Sequence, residues 1–379
     1  MVTATGGAFR WHEDTRFLRA DTVQDGLRDA VRAGFSLRVE GGRITGFKAP
    51  QPVLLCATSG SSGAPKVIRR TPASWQTSFA VNGSVLGLGP AAIVAVFSGF
   101  DSSLALYAVL EAAHHGAAIL SLSGVRPDRQ ARAIADSRAD VLYLTPTQLT
   151  ELCKSSSALS SVRCIMVGGG RLSLAAVEAA ARTFPAARLI QFYGAAETSF
   201  ITWTDASTPP GSVGRPYPGV VLHVDDDGTI WVRSPYLFEG YEHGESRHTR
   251  WRDGFLTVGE VGHLDPGGHL FLTGRAGRTV TVADRNVSLD RVEAALSHLI
   301  PGAQIVVVAV PDSRRGARVV ALVAGAPTED SADDLHRLSR QHLGPIMAPH
   351  RIQMCDAVPM LPGGKPDYRT ATKLAQDMA

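Results

Sequence analysis

A loop rich in hydroxyl groups and glycine follows the first strongly apolar segment of the chain. It runs from Thr58 to Lys66 and contains Ser59, Gly60, Ser61, Ser62 and Gly63. Glycines let backbone N–H groups approach an anion, the hydroxyls add donors, and Lys66 supplies a positive charge, so the loop could wrap phosphate groups. It is not a Walker loop, because the G-x-x-x-x-G-K-[ST] spacing is absent, and a Gly/Ser segment is also typical of a flexible connection.

The overall composition narrows the class of protein. Of its 379 residues 44% are hydrophobic and 19% charged, with a formal net charge of +3. This length is enough for more than one domain, and no basic tract indicates a nucleic-acid or membrane partner. Four scattered cysteines without a C-x-x-C pair argue against a zinc site or a disulfide framework and favour a reducing cytoplasm. Because a signal peptide and a spanning apolar run are both absent, we expect a soluble protein that acts on small molecules.

Short apolar runs alternate with Ala-rich segments of helical period as far as Phe192. This rhythm predicts an α/β fold with mainly parallel sheets covered by helices. After about Pro209, short alternating segments with Asp-Gly, Pro-Gly and Gly-Gly predict hairpins or a small β-barrel-like part. A compact α+β region follows Gly274, so we expect a large domain, 1–274, and a small one, 275–379.

The loop from Thr58 to Lys66 resembles the phosphate loop of the adenylate-forming superfamily, which includes acyl-CoA synthetases, adenylation domains of nonribosomal peptide synthetases and firefly luciferase. Further motifs of that superfamily follow in its order. They are the turn Gly168, Gly169 and Gly170, the Tyr-Gly-x-x-Glu segment Tyr193, Gly194, Ala195, Ala196 and Glu197, the carboxylate Glu260, the pair Gly274-Arg275, and the segment Pro359 to Arg369 with Lys365. So many motifs in one order, from position 58 to position 369, make a chance match improbable.

The resemblance implies which residues bind a nucleotide. Tyr193 would pack against the adenine of ATP, and the glycine turn at Gly168 would line the same base. Glu260 would bind the ribose hydroxyls, and Arg275 would lie at the hinge of a small mobile α+β C-terminal domain.

The resemblance also implies a reaction, in which a carboxylate attacks the α-phosphate of ATP and pyrophosphate leaves. Because two anions are joined, catalysis depends on positioning and charge neutralisation. The positive charge would come from Lys365, from Lys66 and from a Mg²⁺ ion held near Glu197. Taken alone, Lys365 is typical of a solvated surface lysine and Glu197 of a carboxylate at the start of a helix.

Several positions depart from the family pattern. Glu260 replaces the usual aspartate, Ala196 stands where many members have threonine, and Gly277 stands where the hinge usually has Asp or Lys. Asp284 falls where a glycine normally lets the thioester-forming loop approach pantetheine. The resemblance therefore supports transfer to coenzyme A less strongly than it supports adenylation. The region before the phosphate loop is also short, and a second copy of the chain is expected to cover the sheet edge in a homodimer.

The substrate is expected to be a small carboxylic acid. The segment from Phe100 to Ser103 resembles the Phe-Asp-x-Ser segment of amino-acid-activating domains, in which the aspartate pairs with the substrate ammonium. Asp101 would then bind an amino-bearing acid, with Phe100 and Ala195 as further candidates for the substrate pocket. Alternatively, Asp101 caps a helix that begins at Ser102.

Three functions stay open at this point. The first is adenylation followed by transfer to a thiol of coenzyme A or of a carrier protein. The second is transfer to an amine or another nitrogen nucleophile, with nitrite activation as a distant variant. The third is a degenerate subunit that binds a nucleotide without turnover. An oxidoreductase and a serine hydrolase fit poorly, because G-x-G-x-x-G after a strand and G-x-S-x-G are both absent.

Overall fold

The structure, a computed structural model, describes residues 7–19, 22–58, 66–170, 172–325, 332–361 and 366–377. Its hydrophobic clusters fall into two sets. One set draws on residues 9–270 and the other on residues 282–375. The predicted α/β fold with a smaller C-terminal part is therefore confirmed.

Strands and helices alternate through the first part of the chain. The elements are α1 (Thr22–Arg32), β1 (Ser36–Glu40), β2 (Arg43–Phe47), β3 (Leu54–Thr58), β4 (Lys66–Arg70), α2 (Pro72–Leu86), β5 (Ile93–Val96), α3 (Ser103–His115), β6 (Ala118–Ser121), α4 (Pro127–Ser137), β7 (Val141–Leu144), α5 (Pro146–Lys154), β8 (Cys164–Val167), α6 (Leu174–Thr183), β9 (Arg188–Ala195) and β10 (Ser199–Trp203). Threonine caps followed by proline begin two of the helices. The Thr71 hydroxyl accepts a hydrogen bond from a backbone N–H of α2, and the Thr145 hydroxyl does the same for α5.

Antiparallel strands dominate the next segment. They are β11 (Arg215–Pro216), β12 (Val221–Val224), β13 (Ile230–Arg233), β14 (Gly240–His243), β15 (Arg250–Arg252), β16 (Phe255–Thr257), β17 (Glu260–Leu264) and β18 (Leu270–Arg275). β12, β13, β16 and β15 form one sheet in that order, and a bridge between Thr229 and Val261 connects it to the β17–β18 hairpin. This is the small barrel-like part that the turn residues predict.

The C-terminal part is an α+β unit. Its elements are a 3₁₀ turn (Ala276–Arg278), β19 (Thr279–Val282), β20 (Arg285–Ser288), α7 (Leu289–Leu299), β21 (Gln304–Asp312), β22 (Gly316–Ala324), α8 (Ala332–Met347), β23 (Arg351–Met354) and α9 (Tyr368–Asp377). α8 is interrupted at Gly344, where φ is +77°. β21, β22 and β23 form a sheet; α7 and α8 pack on one face of it and α9 on the other.

Two sheets carry the candidate site. The described strands form a seven-stranded sheet in the order β11-β10-β9-β8-β7-β5-β6, in which β5 to β9 are parallel, and a five-stranded sheet in the order β14-β4-β3-β1-β2. The carboxyl ends of parallel strands meet at one edge, which is where such sheets bind ligands. Asp101 follows β5 and Gly168 follows β8, so both lie at this edge. Among the described residues, no helix combines the length and apolarity that a membrane crossing requires.

The structure extends the predicted elements at several places. The hydrophobic pattern missed α5, because this nine-residue helix buries just Leu149 and Leu152. It also missed β4, the strand that leads out of the glycine-rich loop. The expected domain boundary at residue 274 falls inside β18, because Arg275 still pairs with Glu260 across the hairpin.

A buried carboxyl group lies in the core beside the large sheet. Glu111 of α3 has no solvent exposure and accepts hydrogen bonds from Asn82 Nδ2 at 2.9 Å and Tyr107 Oη at 3.0 Å, with Tyr143 Oη as a third donor. Burial raises the pKa of this carboxyl to about 7, although the three donors act in the opposite direction. The folded chain therefore keeps a proton on Glu111 to a higher pH than the unfolded chain.

Stability from this group is expected to be fully present below the ordinary pKa of 4.5 and to be lost as the pH rises through about 7. At about 1.36 kcal/mol per pKa unit, the loss is on the order of 3 kcal/mol. Glu111→Gln mimics the protonated acid, so it should match the parent chain near pH 5 and exceed its free energy of unfolding by about 1–3 kcal/mol near pH 8. Denaturant unfolding at both pH values measures this, with the exposed Glu151→Gln as control. Identical pH profiles for parent and Glu111→Gln would contradict the assignment.

Candidate active site

The structure brings the two ends of the glycine-rich loop together. Thr58 ends β3 and Lys66 begins β4, and the two residues pair across the antiparallel ladder. Lys66 is 8% exposed, and its Nζ lies 5.8 Å from the centroid of the Tyr241 ring. The predicted phosphate contacts of Ser59 to Gly63 lie outside the described residues and stay a prediction.

Glu197 lies in the connection between β9 and β10. Its Oε1 accepts a hydrogen bond from Tyr241 Oη at 2.8 Å, and its carbonyl oxygen accepts one from the Phe238 N–H at 2.8 Å. The interpretation of Glu197 as a helix-start carboxylate is therefore wrong, because a β-hairpin presents it. The Tyr241 hydroxyl thus binds this carboxylate, and the ammonium group of Lys66 lies over the ring of the same side chain, so both charges are near Tyr241.

The Tyr-Gly-x-x-Glu motif has a steric explanation. At Gly194, β9 and β10 approach so closely that an added Cβ would lie 1.7 Å from the carbonyl oxygen of Ser199. Any side chain there would push the hairpin open. The Ala195 N–H donates to Thr198 Oγ1 at 3.0 Å and closes the connection that presents Glu197.

Tyr193, Glu260 and Arg275 meet although they come from separate motifs. Arg275 Nε donates to Glu260 Oε1 at 2.8 Å across the β17–β18 hairpin. Burial raises the pKa of Glu260, and the guanidinium opposes that rise. Burial and the nearby Glu260 carboxylate also raise the pKa of Tyr193. The Tyr193 hydroxyl is buried and has no hydrogen-bond partner among the described residues, which leaves it able to bond a ligand.

The glycine turn after β8 contacts the same segment. An added Cβ at Gly168 would lie 2.2 Å from the Phe192 ring, so this ring packs directly on the backbone. The Gly170 carbonyl oxygen accepts a hydrogen bond from Gln191 Nε2 at 3.1 Å. The turn is therefore held beside the end of β9, where Tyr193 lies.

Asp101 is exposed, immediately before α3. The N-cap residue of this helix is Ser102, and it makes no side-chain capping bond, so the interpretation of Asp101 as the helix cap is wrong. Burial raises the pKa of the Cys56 thiol in β3, and the Asp101 charge adds to that rise, which places the carboxylate near the strand leading to the glycine-rich loop. Phe100 is 7% exposed and stacks on Phe17.

Lys365 lies outside the described residues, but the chain on either side of it is defined. Pro366 bridges to Met360, and the Asp367 N–H donates to the Pro359 carbonyl oxygen at 2.9 Å, so the described residues on its two sides lie together.

Directly after that segment, the Tyr368 ring lies 3.7 Å below the guanidinium of Arg278, which also contacts Asp290 and Glu293. Burial and the Glu293 carboxylate raise the pKa of Tyr368, and the charge of Arg275 acts against that rise, which places the two residues near each other. The base of the Lys365 segment therefore lies close to the residue that binds Glu260.

Sequence reasoning missed two residues of this cluster, Tyr241 and Arg70. A tyrosine in a short alternating strand carries no distinguishing signal. Arg70 does carry one, since it stands four positions after Lys66 on the same strand and must share its face.

Replacing Tyr193 by Phe should raise the free energy of unfolding by about 1 kcal/mol, because it removes a buried hydroxyl that has no protein partner. Tyr217→Phe is a matched control with the opposite expectation. Its hydroxyl donates to Asn82 Oδ1 at 2.7 Å, and the loss should cost about 1–3 kcal/mol. Denaturant unfolding of both variants without ligand tests this. A Tyr193→Phe variant destabilised as much as Tyr217→Phe would show that the Tyr193 hydroxyl has a partner in the folded chain.

Two family models match the chain in the order that the motifs suggest. The model described as AMP-binding enzyme matches residues 17–242, more than half of the chain, and the model described as AMP-binding enzyme C-terminal domain matches residues 291–365.

Individual relatives agree with these models. A putative long chain fatty acid-CoA ligase, VraA, of Staphylococcus epidermidis is 30% identical over 71% of this chain and 59% of its own length. The phenyloxazoline synthase MbtB of Mycobacterium sp. is 28% identical over 97% of this chain and 33% of its own length. The chain thus spans about three fifths or less of these two relatives. The solved structure of the amide bond synthetase McbA from Marinactinospora thermotolerans has a TM-score of 0.75 and 28% identity, and covers 89% of this chain and 71% of that one. Together with the site geometry, these matches show that the chain belongs to the AMP-binding enzyme family, within the adenylate-forming superfamily.

Proposed function

We propose that the chain uses ATP to activate a carboxylic acid as its acyl-adenylate and then transfers the acyl group to a thiol. The observation that supports this most strongly is the convergence of separate motifs on one place. Lys66, Glu197 and Tyr193 lie together with the Glu260–Arg275 pair, although they come from both sheets and the small hairpin.

In the first step a carboxylate oxygen of the acid bonds to the α-phosphorus of ATP, and the bond from that phosphorus to the pyrophosphate oxygen breaks. Lys66 would neutralise phosphate charge, and Lys365 would do so at the transferring group. Glu260, held by Arg275, would accept hydrogen bonds from the ribose hydroxyls. Tyr193 would pack against the adenine and offer its buried hydroxyl to the nucleotide.

Glu197 fits a magnesium site. One of its carboxylate oxygens is occupied by Tyr241, and within the described ranges the other accepts no hydrogen bond. Mg²⁺ is usually held by one or two carboxylates together with substrate phosphates. When bound, the ion would neutralise charge on the phosphate oxygens.

In the second step the sulfur of a thiol bonds to the acyl carbon, AMP leaves and the thiol proton is lost. Coenzyme A or the pantetheine of a carrier protein would supply that thiol. Fatty acid-CoA ligase activity is named for the relative VraA, which favours coenzyme A.

Transfer to a nitrogen nucleophile is the second candidate, and a specific observation favours it. Asp284 lies exposed in the two-residue turn between β19 and β20, where Ala283 and Asp284 have φ of +46° and +62°. Both residues at positive φ define a tight turn that usually selects glycine or asparagine. A carboxylate at its tip would repel a thiolate but not an amine. The similarity to an amide bond synthetase points the same way.

We also propose a division at the end of β18 into an adenylation domain, predicted as residues 1–274, and a lid, predicted as residues 275–379, that carries Lys365. The separate hydrophobic clusters support this division. The nearness of Tyr368 to Arg275, which binds Glu260, supports a lid that carries Lys365 towards the site.

The test is acid-dependent exchange of pyrophosphate into ATP over a panel of aryl, fatty and amino acids. Lys365→Ala should lower the exchange rate about 100-fold or more, because positive charge at the transferring phosphate is lost, while ATP affinity stays within about threefold. The exposed Lys373→Ala is the control and should exchange normally. Unchanged exchange by Lys365→Ala would contradict its role, and no exchange by the parent with any acid would favour a non-catalytic nucleotide-binding subunit.

The same reactions identify the acceptor. Coenzyme A and amines are added separately once exchange is established. A thioester product supports the first candidate, and an amide formed without thioester supports the second.

Asp101→Asn tests the substrate class. If Asp101 binds an ammonium group, the variant should lose about 10–100-fold in kcat/KM for amino-bearing acids, because a charge-assisted hydrogen bond is removed. Acids without an amino group should change less than about threefold. Equal losses for both classes would show that Asp101 has no part in substrate selection.

A further inference from the structure

A fully buried arginine shares a strand with Lys66. Arg70 ends β4 with no solvent exposure, and residues four apart on a strand lie on the same face. Within the described part of the chain, no carboxylate lies at salt-bridge distance from its guanidinium. Burial lowers the pKa of Arg70 to about 10, and the nearby Glu197 charge acts against that fall. Burying a cation without a direct anionic partner costs free energy.

The guanidinium is held by hydrogen bonds to three different segments. Nη1 donates to Ser199 Oγ at 2.8 Å, to Ser74 Oγ at 3.1 Å and to the Tyr236 carbonyl oxygen at 3.3 Å. Nη2 donates to the carbonyl oxygen of Ala196. Arg70 thereby contacts the residue before Glu197 and the residue two positions after it.

Ser199 shows that this contact shapes the backbone. Its φ is +56°, a left-handed conformation that residues other than glycine seldom adopt. Its hydroxyl accepts hydrogen bonds from Arg70 and from Trp75 Nε1 at 3.1 Å, and donates to the Tyr236 carbonyl oxygen at 3.2 Å. The hydroxyl is therefore fully bonded, and the hairpin that presents Glu197 is held in one shape.

We propose that Arg70 is a positioning residue that fixes the carboxylate of Glu197 relative to Lys66, and so sets the affinity of the site for Mg²⁺ with ATP. β4 would then carry both the cation that contacts the substrate phosphates, Lys66, and the cation that holds the hairpin presenting Glu197. This inference rests on the proposed function. An apolar side chain would avoid the cost of burying the charge, so an arginine at this position indicates a requirement beyond stability.

The test compares Arg70→Met and Arg70→Lys with Arg69→Met. Arg69 is the neighbour on the opposite face of β4 and pairs at the surface with Glu239 and Glu242. In acid-dependent exchange, Arg70→Met should raise the Mg²⁺ concentration for half-maximal rate by about 10–100-fold, as is typical when a group that orients a metal ligand is removed. Arg70→Lys should recover part of that loss because it keeps the charge. Arg69→Met should stay within about twofold.

Two further measurements cover the cases in which the parent chain shows no exchange or Arg70→Met does not fold. Mn²⁺ titration of the ATP complex, followed by electron paramagnetic resonance, gives the metal affinity even if the parent chain shows no exchange with any acid. If Arg70→Met does not fold, Ser199→Ala serves instead, since it removes one acceptor and keeps the charge, and about threefold weaker metal binding is expected from its milder change. Unchanged Mg²⁺ and Mn²⁺ dependence in the folded variants, with only a lower Tm, would overturn the proposal and leave Arg70 a structural residue.

Discussion

The hydrogen bond from Tyr241 to Glu197 joins the two sheets that build the site. Tyr241 belongs to β14 in the five-stranded sheet, whereas Glu197 is presented by the hairpin at the edge of the seven-stranded sheet. The five-stranded sheet also supplies Lys66, whose ammonium faces the same tyrosine ring. Together with the hydrogen bonds that Arg70 makes to Ala196 and Ser199, this contact fixes the carboxylate relative to the cation, although the two residues are far apart along the chain.

Charge distribution within the cluster follows from this arrangement. Burial raises the pKa of Glu260 and the Glu197 charge adds to that rise, whereas the Arg275 guanidinium that binds Glu260 opposes it. The site therefore holds alternating charges in a partly dry environment, where electrostatic interactions are stronger than in water. Such a site is prepared for a ligand that itself carries both phosphate charge and a metal ion.

Much of the fold could be predicted because the spacing of apolar residues along the chain shows which positions are buried in helices and strands. Two of the short apolar runs before Phe192, Val141 to Leu144 and Cys164 to Val167, coincide with β7 and β8, whose residues are all buried. α5 escaped prediction because it buries one narrow stripe, and β4 because the hydroxyl-rich loop before it dominates the local pattern. The sequence also predicted which residue types would meet, but not Tyr241 or Arg70, since their roles depend on contacts with residues 44 and 129 positions away along the chain. Asp101 was placed beside a helix start correctly, yet the capping position belongs to Ser102.

The extension of β18 to Arg275 has a mechanical consequence. Arg275 is paired in the ladder with Glu260, and the 3₁₀ turn begins with the next residue. The backbone can therefore rotate freely only after Arg275, whose side chain binds the carboxylate proposed to contact the ribose. Any swing of the C-terminal part large enough to pull on this strand end would strain the ion pair that orders the sugar. Release of AMP and rotation of the lid would then be coupled in a single motion.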